Sequence, residues 1–140
     1  MAGTIEETLV HVKPDGVARN LTGEILRRIE AKGYALVDIR MVEADRSLLA
    51  VHYAEHEGKP FYEPLVEFME SGPIVAIRIA GERVIEGFRS LAGTTDPTTA
   101  APGTIRGDLG RDWGVKVQQN LVHGSDSAES AARELALWFG

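Results

Sequence analysis

The run at residues 74–80 constrains the fold more than any other part of this 140-residue chain. Six of its seven residues are apolar, and only Arg78 interrupts them. A continuous apolar run of strand length is typical of a central strand that is buried on both faces. A buried sheet needs other layers packed on it, so the run predicts a sheet covered by helices.

Strand and helix patterns alternate around this central strand. Further strands are predicted at residues 8–13, 34–42 and 121–123. Helical spacing of apolar residues predicts long helices at 21–32, 82–91 and 127–139, with shorter ones between residues 45 and 69. This order predicts an α/β (α+β) sandwich, ferredoxin-like βαββαβ, in which helices pack on a four-stranded antiparallel sheet. We expect one domain over residues 1–140, because no repeat or linker divides the chain.

The composition argues against several classes of protein. The chain has no cysteine, which excludes disulfides and thiolate-held zinc. A net charge of −6 argues against a general nucleic-acid binder, and we expect no specific nucleic-acid partner. No apolar run approaches membrane-spanning length, and the short acidic N-terminus is unlike a secretory signal. We therefore expect a cytoplasmic protein without a membrane partner.

The segment at residues 120–127 brings a histidine to a turn between a strand and a helix. His123 ends the last strand, and Gly124 lets the backbone turn. Asp126 and Glu129 predict the N-cap and capping-box partner of the next helix. Histidine exchanges protons near neutral pH, which makes His123 a candidate for acid–base or nucleophilic chemistry. The alternative is a histidine that merely ends a core strand.

Several polar side chains could bind an anion such as a phosphate. Lys13 is fixed at a strand end by Pro14, and Arg106 lies between glycines in a long loop. Arg89 and Thr95 are further candidates, since guanidinium groups and hydroxyls suit phosphate oxygens. The usual ATP-binding loops are absent, so any nucleotide must be bound by another arrangement.

One short pattern suggests a different chemistry. His52, Glu55 and His56 match H-x-x-E-H, the zinc-ligand order of inverzincin peptidases. Two histidines four residues apart on a helix can share a metal ion, with the glutamate as base. The pattern supplies only two ligands, so a zinc peptidase is the less favoured alternative.

His11 lies on the same face of the first strand as Lys13, by strand alternation. A histidine there is either a partly buried residue beside a site or a tolerated variant. The second interpretation is favoured.

The chain resembles a nucleoside diphosphate kinase over about residues 8–139. The segments that carry the resemblance occur in the family's order, and the last is highly specific for it. They are Lys13-Pro14-Asp15-Gly16, Tyr53-Ala54-Glu55-His56, Gly58-Lys59-Pro60-Phe61, Ser71-Gly72-Pro73, Gly103-Thr104-Ile105-Arg106-Gly107-Asp108, and Asn120 through Ser127. The resemblance also explains the H-x-x-E-H pattern as family sequence.

The resemblance implies a covalent mechanism. The γ-phosphoryl group of ATP or another nucleoside triphosphate passes to a nucleoside diphosphate through the histidine that matches His123. Glu134 and Ser125 match residues that orient this ring, and Tyr53 matches a tyrosine near it. A non-catalytic nucleotide-binding or regulatory relative is the alternative.

The resemblance also implies how the nucleotide is bound. Lys13 and Asn120 match residues at the sugar and neighbouring phosphates, while Arg89, Thr95 and Arg106 match phosphate contacts. Mg²⁺ bridges phosphate oxygens and is held mainly through the nucleotide, with no direct protein ligand expected.

The base-binding residues follow from the same resemblance. Phe61 matches the aromatic residue that stacks on the base, and Leu65 lines the same slot. Stacking tolerates different bases, so broad nucleotide specificity is expected.

Three features depart from the family's pattern. His11 stands where the family usually has an apolar or small residue, and Pro64 stands in a helix turn where the family often has glycine. Segment 109–119 is several residues longer than usual. The family forms tetramers and hexamers, so a homo-oligomer of either size is implied. The long segment corresponds to a region near subunit contacts, so the sequence leaves the choice between them open.

Overall fold

A single antiparallel sheet carries the site. The computed structural model describes residues 4–114 and 119–140, so part of the long segment 109–119 lies outside the described residues. The strands are β1 (Ile5–Val12), β2 (Ala35–Val42), β3 (Ile74–Glu82) and β4 (Val122–Gly124). They pair antiparallel in the order β2-β3-β1-β4. The predicted ferredoxin-like α+β arrangement is confirmed.

Seven α-helices occur in the described part of the chain, together with a 3₁₀ turn at Ala54–His56. They are α1 (Pro14–Ala18), α2 (Thr22–Lys32), α3 (Arg46–His52), α4 (Tyr62–Met69), α5 (Val84–Ala92), α6 (Ile105–Leu109) and α7 (Ala128–Phe139). Within the described ranges, no helix combines the length and the apolar character that crossing a membrane requires.

Two short helices replace what the sequence predicted as a strand end and a loop. Pro14 is the first residue of α1, a position where its fixed φ and missing N–H suit a helix. Thr104 caps α6, because its Oγ1 accepts the backbone N–H of Gly107 at 2.9 Å. Lys13 directly precedes α1, and Arg106 is the second residue of α6.

The central strands β1 and β3 are largely buried on both faces, as the apolar run predicted for β3. On one face, Val10 and Val12 pack in a cluster that includes residues of α2 and α5. On the other face, Leu9 packs with residues of α3, α4 and α7. His11 and His123 are register partners across β1 and β4, so both lie on the face covered by α7.

The turn into α7 corrects the predicted N-cap and adds a packing reason for Gly124. Ser127, and not Asp126, is the N-cap, since Ser127 Oγ accepts the backbone N–H of Ser130 at 3.1 Å. Both residue types are good caps, so the sequence alone does not choose between neighbours. Gly124 is required by close packing, because a Cβ there would lie 2.6 Å from Cδ2 of Phe88.

An unusual backbone at Leu121 leads into β4 and the predicted nucleophile. Its φ is +72°, in the left-handed region that a branched side chain rarely adopts. Two hydrogen bonds hold this conformation. The backbone N–H of Lys13 donates to the Leu121 carbonyl at 2.8 Å, and the Leu121 N–H donates to Asp15 Oδ2 at 3.1 Å. The start of α1 therefore fixes the entry into β4.

Candidate active site

His123 is held by a buried carboxylate on α7. Its Nε2 lies 2.8 Å from Glu134 Oε1, and Ser125 Oγ donates to the same oxygen at 2.8 Å. An ionised carboxylate only accepts hydrogen bonds, so Nε2 carries the proton of the neutral ring. Nδ1 is then left with a free lone pair. The side chain of His123 is 20% exposed, so it is within reach of a ligand.

Glu134 is ionised where it lies. Burial by itself raises the pKa of Glu134, but hydrogen bonds and charge attraction from His123 and a hydrogen bond from Ser125 outweigh it and lower the pKa below 4.5. The structure buries Glu134 against the histidine ring.

A polar cleft of about 350 Å³ opens beside His123. Lys13 Nζ donates to Asn120 Oδ1 at 2.8 Å, and Asn120 Nδ2 donates to the carbonyl of Thr95 at 3.1 Å. These bonds join the end of β1, the approach to β4 and the loop after α5. The cleft is lined by Lys13, His56, Arg89, Ala92, Gly93, Thr94, Thr95, Arg106, Asn120, Val122, His123 and Gly124.

Arg106 ties the walls of this cleft together. Its Nε donates to the Asn120 carbonyl at 3.0 Å, Nη1 to that of Gly93 at 2.9 Å, and Nη2 to that of Val122 at 2.7 Å. A guanidinium has five N–H donors, so two remain for a ligand. Arg106 thus holds the loop before β4 in place, and its remaining N–H groups can donate hydrogen bonds to an anion.

The cations of the cleft are crowded. Burial lowers the pKa of Lys13 to about 8, and the charge of Arg106 adds to the shift. Burial likewise lowers the pKa of Arg106 to about 10, with a further contribution from Arg89. Both lowered pKa values mean that the positive charges are poorly compensated within the protein. A bound anion such as a phosphate would compensate them.

The remaining predicted residues lie at different distances from the cleft. Arg89 and Thr95 line it, and Arg89 Nη1 lies 3.4 Å from the Gly124 carbonyl. Tyr53 lines a smaller recess of about 180 Å³ with His123 and Glu134.

Phe61 and Leu65 are not among the residues that line the cleft. Phe61 is 49% exposed, and its ring centre lies 5.3 Å from that of His56, which lines the cleft. Leu65 packs against the core cluster around Leu9. A base stacked on Phe61 would therefore lie at the rim of the cleft, and this role stays a prediction.

His11 lies beside the site, as the less favoured of the two interpretations had it. That it is a tolerated variant stays a prediction. Its ring centre is 5.1 Å from that of His123 and 5.2 Å from that of His52. It is fully buried. Strand alternation gave the face of His11 correctly, but not the identity of the residues opposite it.

His52, Glu55 and His56 all line the recess of about 180 Å³, but among the described residues their ligand atoms do not form a close metal-binding group. His52 is buried, and its Nδ1 accepts the indole N–H of Trp138 at 3.0 Å. His56 instead lies near Phe61 and lines the cleft. The structure directs His52 toward His11 and His123, which the sequence pattern gave no means to predict.

Comparison with known proteins agrees with this geometry. The profile of the family described as nucleoside diphosphate kinase matches residues 6–140. The nucleoside diphosphate kinases of Streptomyces avermitilis and Mycobacterium avium are 59% and 58% identical over 135 residues, covering 96% of this chain and 96% of each relative. A solved halophilic nucleoside diphosphate kinase from Halobacterium salinarum, in complex with CDP, superposes with a TM-score of 0.91. It is 46% identical, and the match covers 97% of this chain and 88% of that one. The chain therefore belongs to the nucleoside diphosphate kinase family.

Proposed function

We propose that this nucleoside diphosphate kinase transfers the γ-phosphoryl group of ATP, or of another nucleoside triphosphate, through a phosphohistidine at His123. The arrangement that carries the proposal is the ring of His123, whose Nε2 is held by Glu134 at 2.8 Å while Nδ1 is free beside a cationic cleft. Family membership supports phosphoryl transfer over the alternatives of a zinc peptidase and a non-catalytic relative.

The reaction runs as two similar half-reactions. The Nδ1 lone pair of His123 attacks the γ-phosphorus, the N–P bond forms, and the bond to the bridging oxygen breaks as the diphosphate leaves. A β-phosphate oxygen of the second nucleotide then attacks the same phosphorus and breaks the N–P bond. Positive charge develops on the ring during attack, and the Glu134 carboxylate stabilises it through the Nε2 proton. Ser125 holds the carboxylate in place.

The cleft supplies the charge that phosphoryl transfer needs. Transfer depends mainly on positioning the phosphate and stabilising the charge on its oxygens. The two unused N–H groups of Arg106, the guanidinium of Arg89 and the hydroxyl of Thr95 are suited to the phosphates. Lys13 and Asn120 hold each other at 2.8 Å and are suited to the sugar hydroxyls and adjoining phosphate.

The donor set fits a Mg²⁺ ion that arrives with the nucleotide. Mg²⁺ prefers oxygen ligands, often carboxylates together with phosphates. No carboxylate from the described residues lines the larger cleft, whereas the hydroxyls of Thr94 and Thr95 do. We propose that the ion is held mainly by phosphate oxygens and water, with these hydroxyls near it. When bound, it would neutralise charge on the β- and γ-phosphates.

Phe61 and Leu65 are proposed to hold the base at the rim of the cleft. The half-exposed ring of Phe61 offers a stacking surface, and stacking accepts any base. The complex of the Halobacterium salinarum relative with CDP supports nucleotide binding by this fold.

Covalent labelling tests the proposal. The wild-type chain is incubated with γ-labelled ATP and Mg²⁺, and then with an unlabelled nucleoside diphosphate. We expect acid-labile, base-stable label on the protein that passes to the diphosphate, and much less label when Mg²⁺ is chelated. His123→Ala should take up none, whereas Arg27→Ala, at an exposed ion pair that does not line the cleft, should label normally. Equal label on His123→Ala and wild type would reject His123 as the acceptor.

A homo-oligomer, a tetramer or a hexamer, is also proposed, together with a cytoplasmic location. The edge strand β2 exposes Val37, Ile39 and Met41 by 50%, 45% and 67%, and exposed apolar edges favour association with another chain. Light scattering on the eluting protein would give the mass of the assembly, and a monomer would reject the proposal.

A further inference from the structure

We propose that His11, His52 and His123 form a three-imidazole site for a divalent metal ion of the zinc type, and that the bound ion blocks His123 as a nucleophile. Within the described residues, one ring nitrogen from each histidine can be chosen so that all lie within 4.8 Å of one another. The cluster is distinct from the H-x-x-E-H pattern, with which it shares only His52.

The spacing of the three rings suits one tetrahedral ion. Their centres form a nearly equilateral triangle, with sides of 5.0, 5.1 and 5.2 Å. Three imidazoles bound to zinc at about 2.0–2.1 Å have ring centres roughly 5 Å apart. The chosen nitrogens lie within 4.8 Å of one another, so rotation of the rings can direct all three at one ion. Three histidines with one open position are a familiar zinc arrangement.

His11 supplies an independent sign that a ligand is missing. Its ring is fully buried, and neither nitrogen has a hydrogen-bond partner in the part of the chain that is described. Buried polar atoms are normally satisfied, so an orphaned imidazole beside two others needs an explanation. A metal ion shared with the neighbouring rings would satisfy it.

The three rings are in suitable states for a metal ion. Burial lowers the pKa of His11 well below 6.5, and burial with the charge of His123 lowers the pKa of His52 to about 3. Both rings are therefore neutral at pH 7, as metal ligation requires. The Nε2–H of His123 is bound to Glu134, which leaves Nδ1 free, and a carboxylate behind a metal-bound histidine is a common outer contact.

His52 gives the site a spectroscopic signature. Its Nδ1 accepts the indole N–H of Trp138 at 3.0 Å, so Nε2 carries the ring proton. Coordination through Nδ1 displaces the indole, and coordination through Nε2 moves the proton to Nδ1, where it faces that N–H. Either route removes the acceptor of Trp138, so metal binding should change the indole emission.

The blocking effect rests on the proposed function, but the metal site does not. Nδ1 of His123 cannot hold a metal ion and a phosphoryl group together, so ion and phosphoryl label should exclude each other. Binding of Zn²⁺ alone is therefore measured first, without nucleotide. If the protein binds zinc but its zinc-free form takes up no label from γ-labelled ATP and Mg²⁺, the proposed function is rejected and the metal site stands.

Calorimetric titration of the wild type with Zn²⁺ should show one ion bound per chain. Loss of an outer contact weakens metal binding by about 10–100-fold, so loss of a ligand in His11→Leu should weaken it by at least about 100-fold. His56→Ala is the matched control, because it removes the fourth histidine of the chain, which lies outside the cluster, and it should bind as the wild type does.

Three measurements on the wild type make the result independent of the folding of His11→Leu. Imidazole nitrogen resonances of His11, His52 and His123 should shift with Zn²⁺ while those of His56 stay, and the emission of Trp138 should change in parallel. Labelling by γ-labelled ATP in excess Mg²⁺ should fall as Zn²⁺ is added and return with a chelator that is selective for Zn²⁺. Unshifted His11 resonances, equal zinc binding by His11→Leu and wild type, or binding lost in His56→Ala would overturn the proposal.

Discussion

Two histidines face each other across β1 and β4 and differ in everything but residue type. His123 is the central residue of β4, is 20% exposed, and is hydrogen-bonded through Nε2 to Glu134. His11 is its register partner near the end of β1, is fully buried, and has no hydrogen-bond partner among the residues described. Their ring centres are 5.1 Å apart.

The difference shows that the partner of an imidazole, more than its position in a strand, decides its chemistry. A carboxylate on Nε2 fixes the tautomer of His123 and directs the lone pair of Nδ1 outward. His11 has no such partner among the described residues, so no hydrogen bond from them selects one tautomer or stabilises the protonated ring. Substitution of the polar groups around His123 should therefore change the activity, whereas substitution of His11 should change the stability of the fold.

Around His123, Arg106→Ala should cause the largest loss of activity. The substitution removes donors to three carbonyls around the cleft and the two N–H groups available to phosphate. Loss of one preorganised donor lowers turnover by about 10²–10³, so we expect kcat to fall by at least about 100-fold. Steady-state kinetics at saturating nucleotide measure this.

Two further variants separate the roles of Arg106. Arg106→Lys keeps a charge but loses the planar fork, and it should recover only a part of the activity. Arg27→Ala removes an exposed, paired arginine and should be unaffected. Near-normal turnover of Arg106→Ala would show that it is only a loop residue.

Glu134→Gln should have a smaller effect, because an amide oxygen can still accept a hydrogen bond from the Nε2–H of His123. Hydrogen bonds to charged groups contribute about 1.5–3 kcal/mol and neutral ones about 0.5–1.5 kcal/mol, so phosphoryl uptake should slow about tenfold. Rapid-quench measurement of phosphoenzyme formation reads this step directly. Glu129→Gln, at an exposed position of the same helix, is the control. Equal rates in both variants would mean that the charge of Glu134 does not assist attack.

The surroundings of His123 were more predictable from the sequence than those of His11. The strand, glycine and helix around His123 are local patterns, and they predicted the right sequence of elements with an error of one residue at the cap. Lys13 followed in the same way from Pro14, although the proline also starts a helix, where the sequence pattern indicated only a strand end. Local backbone preferences decide such features, so short windows suffice.

The contacts of Arg106 and His11 could not be found in this way. Arg106 binds carbonyls of Gly93, Asn120 and Val122, which are 13, 14 and 16 residues away in the chain. His11 meets His52 and His123 only because β1 pairs with β4 while α3 packs over the same face. Such neighbours depend on register and on helix packing, which periodicity does not determine.

His11→Leu should raise the free energy of unfolding. Removal of a buried polar group that lacks a partner stabilises a protein by about 1–3 kcal/mol, provided that the new side chain fits. Urea unfolding at about pH 7.5 would measure the gain in free energy. His11→Ala is the comparison, because it removes the same nitrogens but leaves a void, and should gain less.

The stability difference between His11→Leu and the wild type should depend on pH. The pKa of His11 in the folded protein lies well below 6.5 because of burial, so below pH 6.5 the unfolded chain binds a proton that the folded chain does not. The wild type therefore loses stability as the pH falls through this value, by about 1.4 kcal/mol per pH unit for this one histidine. His11→Leu lacks that loss, so its advantage should grow by about 1 kcal/mol between roughly pH 7.5 and 5.5. His52 titrates in both proteins and cancels in the difference. A constant difference across this range would mean that His11 takes up its proton in the folded chain as readily as in the unfolded one, and that its ring has a polar partner after all.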